Sequence, residues 1–306
     1  MAKIKSERHH WWPECVSDFW KDDEGQAHWI MPDGTIKRMP PKNLGVIGNG
    51  HHIKLGNNGE STPWDECFEP VFQKADESFP AVINWLDSLD RVARPDARDC
   101  TSRFLAQPCT DEMIGLLVEC LVSLAVRSPM SREAAVGVAE YLRGPLPERE
   151  RNSLIGFNLR SNQRRAADSI GTRGRFAVIL SPDREFVFGD GFFHNITGTN
   201  PPFSPRILAP LTPRISVLMA RPMRYMEEPR LVTLVISASE AETFNQVVQI
   251  YSKDKLFYRS EQPVLVDEYR RNERLNFSGP CIVDDLIESL PGVPSRDRTL
   301  DGLFMR

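Results

Sequence analysis

The sequence predicts an α+β protein: an N-terminal helix and hairpin, a helical middle, and a mostly antiparallel C-terminal sheet with a following helix. Three observations predict it. From residue 64 to about residue 170 apolar residues recur at helical spacing, interrupted at Pro80, Pro95, Pro108, Pro129 and Pro145. Past Gly171 that period gives way to short β-branched and aromatic runs separated by Pro, Gly and Asp. The composition, 306 residues with 41% hydrophobic, 26% charged, 16 Phe and 6 Trp, is that of a chain that buries its own core without disulfides.

Taken in order, residues 9 to 20 set Trp11, Trp12, Val16, Phe19 and Trp20 at helical spacing around Pro13, which a first turn tolerates. A short helix is expected there, with His9 and His10 at its mouth. His28-Trp29-Ile30-Met31 and Thr35-Ile36-Lys37-Arg38 flank Pro32-Asp33-Gly34, where glycine supplies the positive φ of a hairpin turn. After a glycine-rich stretch from Asn43 to Leu55, Thr62 reads as an N-cap, Pro63 as the first helical residue, and Asp65 and Glu66 as first-turn acids. The five prolines then divide the middle into four or five helices. Asp111 to Val126 is apolar nearly all round and is expected to be the central buried helix, while Pro147 to Ser169 carries Leu154, Ile155, Phe157 and Leu159 on one side.

Strands are expected at 176–180, 185–188, 214–219 and 231–236. Ala238 to Lys253 reads as a helix capped by Ser237 or Ser239, followed by the strand Leu256-Phe257-Tyr258 and a polar tail with one short helix from Ile282 to Leu290. The organisation that follows is an N-terminal element over 1–62, a helical region over 63–170, a sheet region over 171–260 containing helix 238–253, and a tail over 261–306.

A net charge of −4 argues against a surface given over entirely to nucleic acid. The longest apolar run, Met113 to Val126, is interrupted by Glu119 and is too short to cross a bilayer. The first ten residues lack the apolar core of a secretory signal, so a cytoplasmic chain is expected. Six cysteines at scattered spacings, with no Cys-x-x-Cys pair, write neither a zinc ribbon nor a redox motif and are expected to be mostly buried thiols. No Gly-x-Ser-x-Gly, His-Glu-x-x-His, dinucleotide fingerprint or kinase signature is present.

Four elements in this order resemble the bacterial and fungal family known as domain of unknown function 4238. They are His10-Trp11-Trp12-Pro13 leading to Phe19, the strand end Phe186-Val187-Phe188-Gly189-Asp190-Gly191, the run Pro210-Leu211-Thr212-Pro213-Arg214, and Asn245 ahead of Leu256-Phe257-Tyr258. The second departs from the family's Ser-Asp-Asn-Pro turn in all but the Asp. The resemblance selects His10 over His9, since the family pattern sets one His directly before the aromatic residue.

His10 is therefore the candidate general base or metal ligand; the structural alternative is a hydrogen bond from its ring to a backbone carbonyl. Asp190 and His194, as Asp-x-x-x-His in a loop after a strand, have a spacing that supplies two metal ligands or an acid/base pair, although loop acids also cap turns. The second pair, His51-His52 after Gly48-Asn49-Gly50, reads as a glycine turn with a weaker reading as a phosphate loop. Between Arg143 and Arg175 eight Arg face three acids, and Arg160, Arg164 and Arg165 gather on one helix face that either binds phosphate or is a solvated surface. Arg214, set between Pro213 and apolar residues, is expected to pair with Asp190 or to hold an anionic group.

The expected function is a phosphodiester hydrolase, nuclease-like and of the toxin or phage-defence type. Catalytic roles fall to His10, Asp190, His194 and Asn245, and substrate binding to Arg160, Arg164, Arg165 and Arg214. A divalent metal on His10, Asp190 and His194 is the cofactor such a set would hold. The alternative is a non-catalytic sensor or adaptor that binds a nucleotide, nucleic acid or protein through the Arg-rich face. The expected partners are a nucleic acid or nucleotide, and an operon-encoded protein or a second copy of the chain, with no membrane.

Overall fold

The structure is a computed structural model that describes residues 8–55, 62, 65–94, 99–196, 205–221 and 228–272. The α+β expectation holds, with a helical middle and the main sheet toward the C-terminus. The predicted tail helix at 282–290, and Pro63 and Pro95, lie outside the described residues.

His9 and His10 lie not at a helix mouth but in a strand. β1 (Arg8–His10) pairs antiparallel with β4 (Val46–Gly48), setting His10 opposite Val46. The approach is close because Gly45 has φ +61°, and a Cβ there would come within 2.6 Å of the Trp12 Cβ. The expected helix follows as α1 (Glu14–Ser17) with a 3-10 turn over Asp18–Trp20. The predicted hairpin is β2 (Ala27–Ile30) and β3 (Ile36–Met39). Thr62 does not cap a helix: its hydroxyl donates to Asp65 at 2.8 Å. The segment then forms β5 (His52–Ile53) paired with β6 (Glu66–Cys67) before α2 (Pro70–Asp87) begins.

Pro80 does not end that helix. A proline removes the donor to the carbonyl four residues earlier, here Asp76, and the Cys15 thiol donates to that oxygen at 3.4 Å instead. A short α3 (Cys100–Arg103) and an unexpected strand β7 (Leu105–Ala106) precede α4 (Asp111–Arg127). Thr110 caps α4, accepting from the Met113 amide at 3.2 Å. As expected it is the buried central helix, against which α2, α5 (Pro129–Arg143) and α6 (Glu148–Ile170) pack. Ser128 caps α5 and Pro129 starts it, so this proline does divide two helices.

The main sheet runs β10-β11-β8-β12-β7, with β8 (Arg175–Leu180), β10 (Arg206–Thr212), β11 (Ile215–Ala220) and β12 (Leu231–Val235). Among the described residues only the β8–β12 pair is parallel. β10, which contains Pro210, is not among the expected strands. The strand lies at the sheet edge, where a missing donor is tolerated, and its register shifts between Pro210 and Thr212. Residues 185–188 do not form a strand of this sheet. The Val187 amide is taken by the Asn245 side chain at 3.0 Å, and only β9 (Phe188–Gly189) pairs, with β13 (Leu256–Tyr258). The second sheet, β3-β2-β13-β9, thereby joins the N-terminal hairpin to the C-terminal region. α7 (Ala238–Tyr251) precedes β13 and opens with a capping box of Ser237 and Glu240.

An aromatic stack ties these parts together: Trp12 lies on Phe188 with centroids 4.1 Å apart, and Phe188 on Phe257 at 4.6 Å. One buried cluster runs from Trp11 to Phe257. Among the described residues no single helix is long and apolar enough to cross a membrane.

Candidate functional site

Strand geometry sends successive side chains to opposite faces, and β1 uses this to divide its histidines. His10 turns to a cleft of about 570 Å³, which it lines with Glu14, Cys15, Cys67, Glu69, Asp76 and others. His9 turns inward and is buried. The His10 ring nitrogen Nε2 lies 3.2 Å from the Lys42 carbonyl. Since a carbonyl oxygen only accepts, Nε2 donates.

His9 meets the second histidine pair. Asn49, at φ +53°, bends the chain so that the His52 amide donates to the Asn49 carbonyl at 3.2 Å. Gly50 packs against Ile47 with no room for a Cβ, and its carbonyl accepts from Arg132 at 2.9 Å, so the glycine turn serves packing. His51 stacks on His9 with centroids 4.9 Å apart, and His52 meets His9 edge-on at 4.7 Å. The His51 amide donates to His9 Nδ1 at 3.0 Å. His52 stands directly opposite Cys67 across β5 and β6, and the Cys67 sulfur lies 3.8 Å from His9 Nε2.

His51 is fully buried and hydrogen-bonded through Nδ1 to Glu69. Burial pushes its pKa down to about 4, outweighing the Glu69 carboxylate that favours the charged ring. Burial alone would raise the Glu69 pKa, but the bond from His51 and the nearby Arg127 charge hold it below the ordinary range. The pair is thus a neutral imidazole donating to an ionised carboxylate. Behind the cleft, buried Arg127 binds Asp76 at 2.6 and 3.1 Å, reaches the His10 carbonyl at 3.4 Å and lies over the Phe72 ring. The Cys15 thiol is pushed up to about 11, mainly by burial and then by Asp76, and stays protonated.

The other sequence candidates lie outside the residues that line this cleft and make contacts elsewhere in the fold. Asp190 accepts from the Lys253 and Asp254 amides at 2.8 and 3.0 Å, closing the turn after α7. His194 is buried under Phe192, with Nε2 3.3 Å from the Ser128 hydroxyl. Asn245, fully buried, bridges the Val187 amide and the Glu185 carbonyl. Arg214 pairs not with Asp190 but with Glu261 at 3.2 Å and Glu185 at 3.9 Å. Arg160 pairs with Glu66, Arg164 lies 3.7 Å from Asp168 on the exposed face of α6, and Arg165 is exposed beside it. Of all these candidates, His10 lines the cleft.

His9, His52, Cys67, Glu69, Asp76 and Arg127 were not singled out as site residues by the sequence. The signal that could have found some of them is the repeat of adjacent pairs, His9-His10 and His51-His52, once the first pair is read as a strand rather than a helix start. Comparison of the chain with family models, curated proteins and solved structures finds no match.

Proposed function

We propose that the chain is a hydrolase acting on a phosphodiester in the His10 cleft, a nuclease-like effector of the toxin or phage-defence type, at work in the cytoplasm. The observation that carries this reading is that His10 and Glu69 line one cleft and are each oriented from behind, His10 by the Lys42 carbonyl and Glu69 by His51. With Nε2 committed to a carbonyl, His10 Nδ1 is the proton acceptor; Glu69, ionised, orients water. His10-Trp11-Trp12-Pro13, the element that resembles the family named above, supplies that base. The cleft volume lies within the range of small-molecule sites.

The lining is acidic, since Glu14, Glu69, Asp76 and Glu77 contribute carboxylates and only Asp76 is matched directly by Arg127. Such a lining repels phosphate and attracts divalent cations, so the reading calls for a metal ion between protein and substrate. The test is hydrolysis of bis(4-nitrophenyl) phosphate and of single- and double-stranded DNA and RNA, with Mg²⁺, Mn²⁺ or Zn²⁺ supplied in turn. Metal-dependent turnover that falls about 100-fold or more in Glu69→Gln supports the reading. No turnover on any of these substrates overturns it.

One observation favours the sensor or adaptor instead: the bond from His10 Nε2 to the Lys42 carbonyl also fastens β1 to the turn before β4. Under that reading His10→Ala loses stability, by ~1 kcal/mol, and no activity is found to lose.

A further inference from the structure

We infer that His9, His52 and Cys67 form a binding site for one zinc-class divalent ion, with a fourth coordination position on the side where Cys67 lines the cleft. The three side chains come from three separate strands, β1, β5 and β6, and their donor atoms all lie within 4.8 Å of one another. Zinc takes sulfur at about 2.3 Å and nitrogen at about 2.0–2.1 Å. Tetrahedral angles then set nitrogen and sulfur about 3.6 Å apart. The His9 Nε2 to Cys67 Sγ separation is 3.8 Å. That separation is therefore within a few tenths of an ångström of what ligation requires, and the two separations to His52 lie within 4.8 Å, close enough for side-chain rotation to complete the set.

The donor set selects the metal. One thiolate and two imidazoles suit Zn²⁺ and disfavour Mg²⁺ and Ca²⁺, which take oxygen. The neighbouring set of His9, His51 and Glu69 is less suited, because His51 and Glu69 already bond each other. Two histidines are buried while Cys67 is half-buried at the cleft wall, the pattern of a three-ligand site that admits water or substrate at its fourth position.

Ligation has a definite proton balance. With the His51 amide on Nδ1, the neutral His9 ring carries its proton on Nε2, aimed at the Cys67 sulfur. Binding through Nε2 moves that proton to Nδ1, so the bond from the His51 amide is given up. Cys67 releases its thiol proton to solvent. As a statement about metal binding the inference is independent of the hydrolase reading; as a statement that the ion serves the cleft, it rests on that reading.

The test is titration of the chelator-stripped full-length chain with Zn²⁺ alone, followed by the absorption spectrum with Co²⁺ in its place. The expected result is one ion per chain, and a cobalt spectrum with tetrahedral d–d bands and a thiolate charge-transfer band. Cys67→Ser abolishes that band and weakens zinc at least about tenfold, His52→Ala weakens it comparably, and Cys15→Ser leaves the band in place. No stoichiometric binding, a cobalt spectrum without a thiolate band, or a band lost in Cys15→Ser rather than Cys67→Ser overturns the inference. Metal binding that meets these criteria without any phosphodiester hydrolysis leaves the site standing and removes only its proposed use.

Discussion

Arg127 and Asp76 form an ion pair whose two ends are unequally buried: the guanidinium is fully enclosed, while a third of the aspartate side chain remains exposed. Arg127 also spends donors on the His10 and Ser123 carbonyls and lies over Phe72, so it braces β1, α2 and α4 at once. Removing the exposed partner strands a buried charge, and removing the buried one leaves a carboxylate that water reaches.

Asp76→Ala is therefore expected to destabilise the chain by ~3–5 kcal/mol, more than Arg127→Met, in which packing is largely retained. Urea unfolding of the two variants checks the order. Equal losses, or a larger loss in Arg127→Met, contradict the asymmetry.

Glu185 gives the fold an acid sensitivity of definite sign. Burial alone would raise its pKa, but the Ser260 and Glu261 amides and the Arg259 guanidinium outweigh that and hold it below the ordinary 4.5. A carboxyl depressed in the folded state contributes stability above its unfolded pKa and loses it as pH falls through the folded value. Stability measured from neutral pH downward is expected to drop below about pH 4.5, and Glu185→Gln to be less stable at neutral pH with a flatter acid limb. An acid limb as steep in Glu185→Gln as in the parent chain counts against this assignment.

Asp190→Ala is expected to cost ~1–3 kcal/mol, because the Lys253 and Asp254 amides lose their acceptor, while any hydrolysis is unchanged per folded molecule. Thermal melts paired with specific activity decide this. Full stability with lost activity would return Asp190 to the catalytic set.

On α6, Arg160 pairs with Glu66 and Arg164 lies 3.7 Å from Asp168, so each of these two charges has a carboxylate beside it that offsets its pull on phosphate. Nucleic-acid affinity of the Arg160→Ala/Arg164→Ala double variant, followed as a function of salt, is expected to stay within about twofold of the parent with the same slope. A slope lower by one or two would restore the basic-face reading.

What the sequence showed, it showed through periodicity and caps. The α4 helix, the β2–β3 hairpin, β8, β11, β12 and the Ser237 cap of α7 are local features, written within a few residues of where they form. The misread elements depend on distant partners. Pro80 stays inside α2 because the thiol of Cys15 answers the carbonyl it frees. β10 tolerates Pro210 because the strand ends up at an edge. His9 and His10 read as a helix start until β4 arrives to pair with them. The same holds for the site: His52 and Cys67 are neighbours only across a two-residue ladder, with fourteen positions between them in the chain. Asp190 and His194 follow strand β9 and Asn245 lies in the middle of α7, and from sequence a polar residue that makes a buried hydrogen bond looks the same as one that faces a substrate.

The central claim, that chemistry belongs to the His10 cleft and not to the Asp190–His194–Asn245 region, is tested most directly by comparing His10→Ala with Asn245→Ala in one assay, with phosphodiester hydrolysis and melting temperature measured on each. The account predicts that His10→Ala loses about 100-fold or more in rate while melting within about 4 °C of the parent. Asn245→Ala is predicted to keep the rate of its folded fraction and to melt markedly earlier, for want of the bridge between Val187 and Glu185. The opposite pattern, in which Asn245→Ala is stable but inactive and His10→Ala is unstable but active, contradicts it.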